Sequence, residues 1–202
     1  MEEQQKVAAT ILSMYITLMP VIIAGVANMK LLKTSFLKEW EVPMDGGRKW
    51  RDGEPLFGKN KTWRGAFGMV LCSIIAMVAW GAICEVVPIL ERHNHFYILN
   101  ANQLGFNVVV GLFLGVAYIL FELPNSFWKR RRKIEPGTAS EVENPWKYMW
   151  LDQMDSLFGC ALVVAWYYPL TIWLYFGYVF LVAATHLLIN WGLVSLGWKK
   201  SI

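Results

Sequence analysis

The chain has 202 residues, of which 56% are hydrophobic and only 17% are charged. Soluble domains average about 45–50% apolar and about 25% charged residues, so this composition excludes an ordinary soluble domain and indicates a membrane protein. The formal net charge of +4 decides little by itself, and no nucleic-acid partner is expected.

Apolar stretches long enough to cross a bilayer follow one another along the chain. A bilayer core of about 30 Å needs roughly 20 apolar helical residues. Residues 7–29, 66–87 and 104–121 predict the first three spans. Residues 157–198 contain no Asp, Glu, Lys or Arg. That stretch is about twice as long as one span needs, so it predicts two helices that reverse direction at Pro169.

The basic residues indicate how these spans are oriented. Of the 19 Lys and Arg residues, only Lys6 and Arg92 lie outside the first and third connections and the C-terminus. With five spans, the basic segments fall on one side, which the positive-inside rule places in the cytoplasm. The sequence thus predicts an all-α, polytopic membrane protein, a single domain over residues 1–202. It has about five transmembrane helices and two polar cytoplasmic loops, and it lies multi-pass in the cell membrane.

The first polar loop, between spans 1 and 2, combines glycines with cations and two aspartates. Glycine permits tight turns and close approach to a ligand, and successive backbone N–H groups in such loops form anion-binding nests. Cations just before span 2 add to the positive end of that helix dipole. The two aspartates are Asp45 and Asp52. The combination favours a polyphosphate ligand, with Lys61, Thr62 and Arg64 as its candidate residues. The alternative is that the cations only enforce topology or contact anionic headgroups.

The second polar loop begins on a helix. Glu122, Ser126, Lys129 and Arg130 are spaced i, i+4, i+7 and i+8, which predicts one shared face. Further along, two acids three residues apart, Asp152 and Asp155, precede span 4. Carboxylates this close repel each other unless a cation or a proton lies between them, and their oxygens suit Mg²⁺. Capping of a helix start is the alternative for these two acids.

Taken together, the two loops resemble those of the CDP-archaeol synthase family, and more distantly those of the CDP-diacylglycerol synthases. The blocks that carry the resemblance are a Lys-Thr-Trp-Arg-Gly run, a Ser-Phe-x-Lys-Arg-Arg run and an Asp-Gln-x-Asp run, which begin at Lys61, Ser126 and Asp152. The chain departs from the family pattern at Glu122, where the family usually has Asp, and in having Pro124 and Asn125 before Ser126. An apparent insertion covers residues 138–147.

The resemblance implies that a phosphorylated lipid attacks the α-phosphorus of CTP, giving CDP-lipid and pyrophosphate at a site that faces the cytoplasm. It further implies Mg²⁺ as cofactor, held by Asp152, Asp155 and Glu122. Catalytic roles fall to Asp152, Asp155, Lys129 and Arg130. The expected CTP contacts are the five first-loop residues named above together with Ser126; Asp45 and Asp52 are candidates for the cytidine or for a metal.

Three questions stay open at this stage. A CTP-dependent lipid kinase and a non-enzymatic scaffold that binds anionic lipids are alternative functions. The chain acts either alone or as a homo-oligomer. His186 and Asn190, spaced i, i+4 in the last span, either join helices by hydrogen bonds or contact the lipid phosphate.

Overall fold

The computed structural model describes residues 2–135 and 145–195, and this part of the chain is mostly helical, apart from the loop over residues 32–62. Five long helices dominate: α1 (Glu2–Leu31), α2 (Trp63–Val86), α5 (Leu104–Arg131), α6 (Pro145–Tyr167) and α7 (Ile172–Ser195). Two short helices, α3 (Pro88–His93) and α4 (His95–Ile98), connect α2 to α5, and a 3₁₀ turn lies at Lys38–Trp40. The all-α prediction is confirmed.

The helix boundaries follow from local chemistry. Thr62 caps α2, since its hydroxyl accepts a hydrogen bond from the backbone N–H of Gly65 at 3.1 Å. The reversal predicted at Pro169 is confirmed by the gap between α6 and α7. Helix α5 runs ten residues past the predicted end of span 3, through Pro124 to Arg131. It therefore carries the predicted charged face out of the apolar region.

Within the described residues, four helices are long and apolar enough to cross a membrane: Glu2–Leu31, Trp63–Val86, Leu104–Arg131 and Ile172–Ile189. Helix α6 is of similar length, but Lys147, Asp152 and Asp155 interrupt its first half. A fifth crossing by α6 therefore stays a prediction. Large apolar side chains on the outer surface, such as Trp166 and Trp173 at 84% exposure, suit contact with lipid.

The helices pack in a chain of neighbours. The contact between α2 and α5 is the most extensive, followed by those of α5 with α6, α1 with α2, and α6 with α7. Helix α7 also contacts α1. Leu18, Met77, Leu114, Leu157 and Tyr178 are among the side chains that fill the shared core. This arrangement brings the start of α2, the end of α5 and the start of α6 to one end of the bundle.

A separate polar cluster closes the opposite end. The backbone N–H of His95 donates to Thr17 Oγ1 at 3.0 Å, and its ring lies 2.6 Å from the Tyr178 hydroxyl and stacks on Tyr168. Burial, together with the nearby His93, lowers the pKa of His95 to about 4. His95 is therefore neutral at ordinary pH. It packs at the end of the bundle opposite the charged loops.

Helices α2 and α5 approach closely because α5 presents glycines at the crossing. A Cβ on Gly111 would lie 2.7 Å from the Cα of Ile74, and one on Gly115 would lie 2.6 Å from the Cα of Val70. Neither contact can be relieved by a side-chain rotation, since the atoms met are backbone. Small residues at such crossings are a common device in membrane helix packing.

We expect Gly111→Ala to lower the free energy of unfolding by about 1–3 kcal/mol, because the added methyl group must push α2 and α5 apart. Thermal unfolding in detergent measures the change. Gly105→Ala is the matched control on the same helix, since a Cβ there meets nothing within 4 Å. Equal unfolding temperatures for the two variants would contradict the close crossing.

Candidate active site

Asp45 organises the first polar loop from within. Its carboxylate accepts hydrogen bonds from the backbone N–H groups of Gly47, Phe57 and Gly58 at 2.9, 3.0 and 3.1 Å. Burial alone would raise the pKa of Asp45, but these hydrogen bonds outweigh it and hold the pKa below its ordinary value. Gly58 adopts a φ of 94°, a conformation that favours glycine.

The loop thus forms the anion-binding nest that its glycines suggest, but the anion is the protein's own carboxylate. Asp45 is 6% exposed and does not line the cavity described below. The geometry therefore does not support its predicted contact with cytidine or metal. The physical reason is that the three donors which could bind a ligand oxygen already bind Asp45.

Asp52 fastens the same loop to the end of α5. Its Oδ2 lies 3.0 Å from Nε of Arg131, whose guanidinium covers the ring of Phe127 at 4.6 Å. Arg131 also donates to the backbone carbonyl of Pro55. Asp52 lies outside the cavity, so the geometry gives it a role in docking the loop rather than the predicted ligand contact.

The Arg64 side chain is buried and donates hydrogen bonds to the backbone at and just after the end of α1. Its Nε donates to the carbonyl of Phe36 at 2.9 Å, and its Nη2 donates to the carbonyls of Thr34 and Leu31 at 2.6 and 3.4 Å. Its Nη1 meets Glu41 Oε2 at 2.9 Å. The guanidinium does not line the cavity. The predicted CTP contact is not supported, because these groups occupy the donors that a triphosphate would need.

A cavity of about 480 Å³ lies where α1, α2, α5, α6 and α7 meet at the charged end of the bundle. One wall is charged or polar. Its side chains include those of Lys61, Thr62, Glu122, Asn125, Ser126, Lys129, Arg130, Asp152 and Asp155. Apolar side chains form most of the rest of the lining, here called the apolar wall, with Ile22, Val26 and Met29 of α1, Met69 of α2 and Ile119 of α5 among them. A molecule with an anionic head and an apolar tail matches this division.

Two lysine–carboxylate pairs cross between elements in the polar wall. Lys61 Nζ lies 2.6 Å from Glu122 Oε1, joining the start of α2 to α5. Lys129 pairs with Asp152 Oδ2, joining α5 to α6. The backbone of Lys61 is itself fixed, since its carbonyl accepts from the N–H of Met44 at 2.7 Å. Both lysines are largely enclosed, with side-chain exposures of 16% and 11%.

Asn125 links the two acids of α6. Its Nδ2 donates to Asp152 Oδ1 at 2.6 Å and to Asp155 Oδ2 at 2.8 Å. Both oxygens therefore lie beside one nitrogen, and Asp155 is only 7% exposed. Asp152 and Asp155, which their spacing predicted to lie close together, do so. No motif in the sequence predicted Asn125 as a partner of these two acids, although its position one residue before Ser126 is part of the departure from the family pattern.

Three other predicted residues also lie at the cavity. Thr62 lines it while capping α2. Ser126 is 5% exposed and faces it from α5. Arg130 lines it while donating to the carbonyl of Ile134, and its Nε has no hydrogen-bond partner. His186 of α7 also lines the cavity, on the same end as the charged groups.

The polar wall supplies part of a binding site for a divalent cation. Among residues 2–135 and 145–195, no three His, Cys, Asp or Glu side chains assemble a metal site on their own. Of the three predicted metal ligands, Asp152 and Asp155 lie next to each other, whereas Glu122 forms an ion pair with Lys61. Such a pair still suits Mg²⁺, which proteins commonly hold by one or two carboxylates and complete with phosphate oxygens and water.

Known structures share this architecture. A solved structure described as an intramembrane enzyme for archaeal membrane lipids biosynthesis aligns with 87% of this chain and 91% of its own, with a TM-score of 0.58 and 24% identity. This likeness concerns the fold alone. The shared fold is a helical bundle, and the four apolar helices within the described residues are those of a polytopic membrane protein.

Sequence relatives then identify the family. The family model described as CarS-like, CDP-archaeol synthase, matches residues 8–201. The CDP-archaeol synthase of Pyrococcus horikoshii is 31% identical over 163 residues, covering 78% of this chain and 81% of its own. That of Hyperthermus butylicus is 30% identical over 129 residues, or 63% of this chain and 61% of its own. The chain therefore belongs to the CDP-archaeol synthase family, and the resemblance read from its two loops is confirmed.

The geometry predicts a structural effect for Arg64→Lys. An ammonium cannot reproduce the planar fork that bonds several loop carbonyls at once. We expect the free energy of unfolding to fall by about 1–3 kcal/mol and residues 32–62 to become more sensitive to protease. Arg48→Lys is the matched control, since Arg48 is exposed in the same loop. Weaker CTP binding with unchanged thermal stability would contradict this assignment.

Proposed function

We propose that this chain transfers the cytidylyl group of CTP to a phosphorylated glycerolipid of the archaeol-phosphate type. The observation that carries the proposal is the two-walled cavity, in which cations and paired carboxylates face an apolar wall at one end of the bundle. Membership of the CDP-archaeol synthase family supports the same reaction. The relatives reported above carry the name of that synthase, and neither the lipid kinase nor the scaffold alternative gains support from them.

The reaction forms one bond and breaks one. An oxygen of the lipid phosphate attacks the α-phosphorus of CTP, a new phosphoanhydride bond forms, and the bond from that phosphorus to the β-phosphate oxygen breaks. The electron pair leaves with pyrophosphate. No side-chain nucleophile is required, so the protein contributes positioning and charge neutralisation.

The charged side chains divide between the substrates. Lys61, Lys129 and Arg130 are placed to hold the triphosphate and the leaving pyrophosphate, with Thr62 and Ser126 as neutral donors. Asp152 and Asp155 are the residues that would hold Mg²⁺, which when bound neutralises developing phosphate charge. Because Lys61 and Lys129 already contact carboxylates, an incoming triphosphate competes with Glu122 and Asp152 for them. The lipid chains lie along the apolar wall.

The setting follows from the same features. By the positive-inside rule, the basic segments favour a cytoplasmic location for the charged end of the bundle, where CTP is available. The proposed location is therefore the cell membrane, with the cavity open to the cytoplasm. His186 lines this cavity from α7, which favours contact with the lipid phosphate over a purely interhelical role.

The reaction is tested by following the label of CTP into products. Purified protein in detergent receives a glycerolipid phosphate or the corresponding glycerolipid alcohol, with CTP labelled at either the α- or the γ-phosphorus. We expect only the α-label to enter the lipid, with release of pyrophosphate. Transfer of the γ-label with release of CDP would instead show a kinase, and no transfer with any of a panel of lipid phosphates would favour the scaffold.

Within this reaction, Asp155→Asn should lower kcat by roughly 10²–10³-fold, because a neutral amide cannot balance a cation at the transferring phosphate. The unfolding temperature of the variant is measured alongside turnover to separate chemistry from folding. Glu39→Gln, an acid-to-amide change at an exposed position in the first polar loop, is the matched control. Turnover within twofold of the unchanged protein would remove Asp155 from the mechanism.

A further inference from the structure

Asn125 has an arrangement that its hydrogen bonds do not fully explain. It is 9% exposed, and its nitrogen bridges the two acids of α6. Its Oδ1, however, is buried without a hydrogen-bond partner. Burial of an unpaired acceptor costs about 1–3 kcal/mol. A residue that served only to separate two carboxylates would not need an acceptor enclosed beside the same cavity.

The two ends of the amide can exchange positions. A half turn about the Cβ–Cγ bond places Oδ1 where Nδ2 lies, beside Asp152 Oδ1 and Asp155 Oδ2. The exchange leaves one unpaired polar atom on the far side, as before. In the new position, three oxygens are neighbours, at separations close to the present 2.6 and 2.8 Å.

Three neighbouring oxygens repel one another unless a cation or a proton lies between them, and their spacing here suits a cation. Ligand oxygens on adjacent corners of a Mg²⁺ octahedron are about 2.9 Å apart, given bonds of about 2.0–2.1 Å. The spacing around Asn125 is close to that value. Amide carbonyls are also ordinary ligands for hard divalent cations. Without a cation, the three oxygens would repel each other, and the amide nitrogen is the better neighbour for the carboxylates.

We propose that Asn125 is the third oxygen ligand of the divalent cation, and that its amide nitrogen holds Asp152 and Asp155 together until the cation binds. The inference rests on the proposed function for the presence of a cation in this cavity. It adds a residue outside the motifs that carry the family resemblance, and it explains how the site stays assembled although Glu122 is paired with Lys61.

The proposal is tested by titrating the detergent-purified protein with Mn²⁺ and following the spin signal of the free ion, without CTP or lipid. Asn125→Leu, which keeps the number and branching of the side-chain heavy atoms but removes both polar atoms, should weaken Mn²⁺ binding by about 10–100-fold. Asn125→Ala repeats the deletion with a good helix former in case the leucine variant does not fold. Asn60→Ala, an exposed amide on the rim of the same cavity, should bind Mn²⁺ as the unchanged protein does.

Asn125→Asp separates a ligand from a structural spacer. It supplies an oxygen but no donor, so we expect Mn²⁺ affinity at or above that of the unchanged protein, and a larger rise of unfolding temperature on adding Mn²⁺. A spacer role predicts the opposite, since a third carboxylate without a donor would drive Asp152 and Asp155 apart. Weak binding by Asn125→Asp, or unweakened binding by both deletion variants, would overturn the inference.

The outcome is distinguishable from failure of the proposed function. If the unchanged protein binds no Mn²⁺, both the cation and the role of Asn125 are refuted, whereas transfer of the α-label from CTP tests the reaction separately. If the unchanged protein binds Mn²⁺ and transfers no label, the inference about Asn125 stands and the reaction is wrong.

Discussion

The charged end of this bundle depends on opposite charges that meet across helices in a largely enclosed cavity. An isolated charge in such a place is expensive, and pairing reduces the cost only if both partners are held in position. Lys61 with Glu122 and Lys129 with Asp152 satisfy this condition. They tie the start of α2 and the start of α6 to the end of α5, so the polar wall can exist only while the three helix ends converge.

The shape of the first loop depends on charged side chains that bind other groups of the protein. Asp45 gathers the backbone donors of its glycine turns, and Arg64 gathers the carbonyls that follow α1. Asp52 then docks the loop onto α5 through Arg131. Because these groups satisfy one another, Lys61 and Thr62 are the predicted ligand residues of this loop that line the cavity.

The division of the cavity into charged and apolar walls follows from where the helices leave the apolar region. Helix α5 continues beyond its apolar stretch and carries Glu122 to Arg130 alongside the first turns of α6, while α1 presents apolar residues opposite them. A substrate with a phosphate head and lipid chains needs both environments within a few ångströms. The glycine crossing of α2 on α5 holds the two helices close enough to provide them.

The sequence alone determined the helical class, the reversal near Pro169, the shared face of Glu122, Ser126, Lys129 and Arg130, and the family. These features depend on hydrophobicity, backbone constraint and helical period, which are local. The tertiary structure decided which charged residues face a ligand. Asp45, Asp52 and Arg64 carry the same charges as true cavity residues but meet partners 12 to 79 positions away in the sequence, and Asn125 acquires its role only from acids on another helix. Residue type reveals a charge, whereas its partner is set by contacts between segments distant in sequence.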